Sequence, residues 1–106
     1  MMTNLKEELT NSLSDLIVFL SDYKEKINVN NFIGILEEMQ FILQSIGKSQ
    51  IPAETMIHLQ KRYKSMFFPR DGLSDFYVFD SDVAYMKMRN EQFSLLIKRI
   101  DSLLKD

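Results

Sequence analysis

Leu5, Leu9, Leu13, Leu16, Ile17 and Leu20 recur at three- and four-residue steps, the spacing that lines apolar side chains along one face of a helix. Thr3 or Asn4 is placed to cap that helix, with Glu7 and Glu8 in the electropositive first turn. The pattern predicts a helix over 4–26, interrupted at Ile27-Asn28-Val29-Asn30-Asn31. A second stripe then begins with Phe32, Ile35, Leu36, Met39, Leu43 and Ile46, and Ile33 and Ile42 widen it. That width makes the second helix, 31–46 with Asn30 or Asn31 as cap, the most enclosed. Gly47 stands where a left-handed C-terminal cap is expected. Pro52 suits the first turn of a third helix over 52–67, whose inner stripe is Met56, Leu59, Tyr63 and Met66 with Ile57 at its margin. Pro69 is expected to stop it.

Residues 66–82 break the helical pattern. Phe67, Phe68, Phe76, Tyr77 and Phe79 crowd together with Asp71, Asp75, Asp80 and Asp82 around a Pro-Arg-Asp-Gly turn. Phe76-Tyr77-Val78-Phe79 is β-prone but has no partner strand in sight. It reads as an extended segment across the bundle, with Phe76 and Val78 on one side and Tyr77 and Phe79 on the other. Asp80 or Ser81 should cap a last helix over 81–104, whose face is Val83 or Ala84, Met86 or Met88, Phe93, Leu96, Ile97, Ile100 and Leu104. Asn90 marks a kink or a second cap. Leu16, Leu36, Leu43, Tyr63 and Ile97 are expected in the core. The fold class is all-α: a four-helix, bundle-like single domain over 1–106, with antiparallel neighbours.

Composition narrows the function classes. The 106 residues are 45% hydrophobic and 26% charged, the balance of an ordinary globular domain. Three glycines and two prolines all fall at or near expected helix ends, which favours long helices over a turn-rich fold. No cysteine is present, so neither a disulfide framework nor a thiolate metal site can form. A net charge of -2 gives no global attraction to nucleic acid or anionic membrane. Leu16–Leu20 is too short an apolar run for a signal peptide, and no stretch is long enough to span a bilayer. The expected setting is the cytoplasm.

Charge is uneven, however. Lys61, Arg62, Lys64 and Arg70 precede four aspartates in 71–82 with no base among them. The acidic run lacks the alternate-ligand spacing and central glycine of a calcium loop. His58 is the single histidine, so no zinc site of two or more histidines is available. No serine sits in a nucleophile elbow, Glu37 and Glu38 point about 100° apart on their helix, and Gly34, Gly47 and Gly72 are isolated rather than clustered in a phosphate loop. No catalytic residue, cofactor or metal site is expected. The basic cluster around Tyr63 is narrower than nucleic-acid binding requires and reads as a solvated helix face. Of the seven methionines, Met86 and Met88 cannot both face one core.

Phe68-Pro69-Arg70-Asp71-Gly72-Leu73-Ser74-Asp75-Phe76-Tyr77-Val78-Phe79-Asp80, followed by Asp82 and an Asn90-Glu91 helix start, resembles a segment of small uncharacterised proteins of Gram-positive bacteria. In that group a Pro-Arg-Gly-Gly-Leu-Ser-Asp-Phe type segment precedes an aromatic-Asp step and a final helix. Its members look like immunity (antitoxin) partners of polymorphic toxins. The resemblance covers about the last 40 residues and contains no catalytic motif; Asp71 replaces the first of two glycines. It implies a bacterial, non-catalytic protein that binds a cognate toxin. Arg70, Asp71, Asp75, Tyr77, Phe79, Asp80 and Asp82 are the candidate partner-binding residues, with Arg70 as an anchor and the aspartates steering a basic partner. The competing expectation is a structural or regulatory helical adaptor, monomeric or homodimeric through the methionine-rich last helix.

Overall fold

A computed structural model describes residues 4–47 and 50–105. Its helices are α1 (Leu5–Ser21), α2 (Val29–Gln44), α3 (Ala53–Lys64) and α4 (Val83–Leu103), with a single 3₁₀ turn at Leu73–Asp75. No strand occurs among the described residues. Hydrogen bonds and ion pairs between elements give the direction of each helix. Gln40 of α2 donates to Ser14 and Thr10 of α1, while Lys6 reaches the Ile46 carbonyl at 2.8 Å. Arg62 of α3 pairs with Glu38 of α2. Tyr63 and Gln60 of α3 bond to Asp101 and to the Leu104 carbonyl at the end of α4. Arg89 and Arg99 of α4 pair with Asp22 and Asp15 at the α1 side. For α1–α2, α3–α4 and α1–α4 residue numbers rise on one helix as they fall on the other, which also sets α2 against α3, so the neighbours are antiparallel around an up-down-up-down bundle.

The first half of the core follows the apolar pattern closely. Leu9, Leu13, Leu16 and Leu20 are fully buried against Phe32, Leu36, Met39 and Leu43, and removing each such side chain from water is worth about 1.5–3 kcal/mol. Among the described residues Ser12 is the one buried polar side chain besides the tyrosines; its hydroxyl donates to the Glu8 carbonyl one turn back at 2.8 Å. That bond makes its burial tolerable.

Helix ends depart more from expectation. Asn4 caps α1, its carboxamide oxygen accepting from Glu7 N–H at 2.8 Å; Thr3 lies outside the described residues. The first helix stops at Ser21 rather than Lys26, and Tyr23, Lys26 and Val29 continue as three-residue hydrogen-bonded turns. Asn28, not Asn30 or Asn31, stands at the N-cap of α2, with a left-handed φ of 65°. A left-handed residue ends one set of turns and redirects the chain, so α2 starts two residues early. It also ends early, at Gln44 with a right-handed Ser45 cap, and Gly47 has no positive φ. Gly34 lies inside α2 on its exposed side, with nothing within 4 Å of where a Cβ would stand.

Pro52 is the cap residue of α3 rather than its first helical residue. That helix ends at Lys64, well before Pro69, because the Ser65 side chain takes the Arg62 carbonyl and Met66 already bonds Tyr63 in a tighter turn. The α4 cap is Asp82 instead of Asp80 or Ser81, accepting from Tyr85 N–H at 3.1 Å. Helix α4 runs unbroken through Asn90, which is therefore not a second cap. Its first turn carries Val83 and Ala84 in solvent; Met86 is half-buried and Met88 exposed. Ile97 is half-buried, not core. It lies on the side of α4 that faces Phe67, Leu73 and Phe76 of the 65–82 segment.

Candidate protein-binding surface

Residues 65–82 are irregular yet heavily anchored. Leu73 N–H donates to the Met66 carbonyl at 2.7 Å and folds the chain back on itself. Gly72 is buried in that fold: a Cβ there would meet the Phe68 backbone, 2.6 Å from its nitrogen and closer still to its oxygen. Its need for glycine is thus steric, since its φ of -76° is ordinary. Asp71 supplies the left-handed residue, with φ 59°, the conformation a glycine adopts at least cost and aspartate tolerates better than most. Its N–H donates to the Asp75 carboxylate at 2.9 Å, and its carbonyl accepts from Asn28 Nδ2 at 2.9 Å. The left-handed residue at the α1–α2 corner therefore holds the left-handed residue of this turn.

Beyond the 3₁₀ turn the chain is extended, and its side chains alternate. Phe76 enters a cluster of aromatic rings, with centroids 4.7 Å from Phe93, 5.6 Å from Tyr23 and 6.1 Å from Phe19. Val78 is buried. Its N–H donates to Asn90 Oδ1 at 2.9 Å and its carbonyl accepts from Asn90 Nδ2 at 3.0 Å. One carboxamide thus satisfies both backbone groups of Val78, as a neighbouring strand would. The same Nδ2 lies 3.0 Å from the Met86 carbonyl.

Tyr77 and Phe79 face outward, as the alternation predicts. Phe79 is 78% exposed, and the two rings meet edge to face at 4.9 Å. Lys26, from the α1–α2 corner, places its ammonium 5.9 Å from the Phe79 ring centre. These residues, with Ile27, Asp71 and Asp75, wall a cavity of about 230 Å³. Four of the seven sequence-selected residues, Asp71, Asp75, Tyr77 and Phe79, are therefore gathered at one place. Asp80 and Asp82 stand apart at the start of α4, where Asp80 accepts from Asp82 N–H and Asp82 caps the helix. Arg70 is exposed and is not part of the cavity wall. Turn hydrogen bonds account for Asp75 and Asp80, and helix capping for Asp82. Among the described residues, no three His, Cys, Asp or Glu side chains stand where they could hold a metal ion.

Sequence reasoning overlooked two features. Arg89, with its side chain only 14% exposed, lies 4.1 Å over the Phe19 ring and donates to Tyr23 Oη at 2.7 Å and to Asp22 at 3.0 Å. It seals the aromatic cluster that receives Phe76. Burial raises the Tyr23 phenol pKa despite the opposing influence of Arg89. The second feature is a groove of about 500 Å³ between α3 and α4, lined by Gln60, Tyr63, Lys64, Phe67, Asp101, Leu104 and Lys105. Tyr63 there donates to Asp101 at 2.7 Å. Burial, reinforced by that carboxylate, pushes the Tyr63 phenol far above its ordinary value. Asn90 did carry a legible signal: it is a polar residue on the inner stripe of α4, and a buried amide requires partners.

No helix among the described residues is long and apolar enough to cross a membrane. Comparison with protein-family models, with curated proteins and with solved structures finds no match for the chain.

Proposed function

We propose that the chain is a non-catalytic protein-binding domain, an immunity protein that neutralises a cognate bacterial toxin by direct binding through the 70–82 segment. The observation that carries this reading is the outward pair Tyr77 and Phe79, held on a backbone clamped from both sides by Asn28 and Asn90. Exposed rings on a fixed backbone lose little freedom when a partner covers them, so they suit the central anchors of an interface. The carboxylates of Asp71 and Asp75 beside them favour a basic partner and speed its encounter. Many toxins act on nucleic acid and are basic, which fits that preference. The resemblance of the 68–80 segment to immunity partners points the same way.

The test is coexpression with the product of a toxin gene adjacent to this one in its native genome, followed by binding kinetics on the purified pair. Phe79→Ala and Tyr77→Ala should speed dissociation about tenfold or more each. Asp71→Gly is the sharper charge probe because it keeps the left-handed turn while removing the carboxylate. It should slow association and flatten its salt dependence without lowering the melting temperature. Full protection in cells by the folded double variant Tyr77→Ala/Phe79→Ala would remove this surface from the mechanism.

A further inference from the structure

The opposite side of α1 presents a face of different construction. Asp15, Val18 and Asp22 line it from α1, and Arg89, Leu95 and Arg99 from α4, around a groove of about 450 Å³. All its acids are on one helix and all its bases on the other. Asp15 pairs with Arg99 at 3.4 Å at one end, and Asp22 with Arg89 at 3.0 Å at the other. Between them Val18 and Leu95 are 70% and 66% exposed. The carboxylates of Asp15 and Asp22 and the Arg99 guanidinium all remain about half or more exposed despite their partners.

We propose that this face docks a second copy of the same chain, forming a two-fold dimer in which α1 of each protomer lies over α4 of the other. The charge arrangement selects that geometry. A two-fold axis parallel to the helices keeps their register and exchanges α1 with α4. Each Asp15 then meets the other copy's exposed Arg99, while Arg89 stays bound within its own copy and Val18 and Leu95 of the two copies close a common apolar centre. A two-fold axis across the helices would instead set α1 against α1 and bring Asp15 opposite Asp22, a like-charge contact. An isologous interface must be complementary to itself, and an acidic helix beside a basic one is complementary to its own rotated image. The face is narrow, so the dimer belongs with weak interfaces, of about micromolar affinity. It shares no residue with the Tyr77–Phe79 cavity and does not depend on the reading of that cavity.

Sedimentation equilibrium from about 1 µM to about 1 mM should show the full chain passing from monomer to dimer. Asp15→Arg and Arg99→Asp should each weaken self-association about tenfold or more, because each places like charges across the axis twice. Mixed in equal amounts, the two variants should form a heterodimer, since residue 15 of each copy then faces residue 99 of opposite sign in the other. Leu95→Asp should abolish association while leaving the melting temperature near that of the parent chain. The exposed ion pairs lost within each copy contribute little to folding, and melts on each variant check this. A chain that stays monomeric throughout, a mixture that does not associate, or an Asp15→Arg variant that dimerises more tightly would each overturn the proposal. The last result would indicate α1-on-α1 packing.

Discussion

The α1–α2 half and the 65–82 segment are held by different physics. Leu9, Leu13, Leu16 and Leu20 against Phe32, Leu36, Met39 and Leu43 form a continuous apolar interior in which no single contact is special. The 65–82 segment has little regular structure and relies on discrete anchors: the space around Gly72, the left-handed Asp71, the two bonds from Asn90 and one from Asn28. Apolar contacts in the first region are numerous and interchangeable, so hydrophobic swaps of equal volume should be tolerated there. Each anchor in the second has a single geometry. Side chains can therefore vary freely at Tyr77 and Phe79, where binding is proposed, only while the anchors hold.

The contrast is broken most severely from the core. Leu36→Ala should cost about 2–5 kcal/mol, read as a lower urea midpoint that affects all helices together in hydrogen exchange. Next comes Gly72→Ala, at about 1–3 kcal/mol because the added methyl meets backbone rather than a mobile side chain. Its signature differs, with exchange protection lost first at Leu73 and Val78 while α1 and α2 amides stay protected at low denaturant. Equal loss across both regions would show that the segment is not a separate cooperative unit.

Asn90→Leu removes a hydrogen-bonding partner from both backbone groups of Val78 and should cost about 1–3 kcal/mol. The Val78 amide reports it directly by faster exchange, and an unchanged rate there would show that the clamp is dispensable. The smallest effect is expected for Tyr63→Phe, about 1 kcal/mol at neutral pH for the lost bond to Asp101. Its sharper readout is alkaline. A phenol whose folded pKa is raised contributes stability that is full below its unfolded value near 10 and is lost as pH climbs above it. The parent chain should therefore weaken above about pH 10, and the variant should weaken less. Tyr23, whose pKa is raised as well, contributes to the residual slope.

Much of this could be read from the chain before any coordinates. Apolar spacing located all four helices and nearly all of the α1–α2 core, because a helical face is encoded by residues only three or four apart. Alternation separated Phe76 and Val78 from Tyr77 and Phe79 for the same reason, since neighbouring side chains on an extended segment point to opposite sides whatever surrounds them. Asp71 was legible only as a departure from the first of two glycines; its left-handed conformation is known from the structure. Ends were read less well. Asn28 displaced Asn30 and Asn31, and Ser65 stopped α3 ahead of Pro69, since several adjacent polar residues can each cap and small differences in local hydrogen bonding choose among them.

Pairings between distant positions were beyond local pattern. Asn28 with the Asp71 carbonyl, Asn90 with Val78, and Arg89 with Phe19, Tyr23 and Asp22 join residues up to 70 apart in the chain. Each is a polar side chain whose partner exists only after the helices have packed. The sequence by itself determined the helices, their inward faces and the outward pair of rings, all set by periodicity within a few residues. Tertiary structure alone decided which face stays acidic, which groove stays open and what locks the 65–82 segment. Those outcomes depend on how four helices share a limited interior, and no residue's neighbours in sequence specify that.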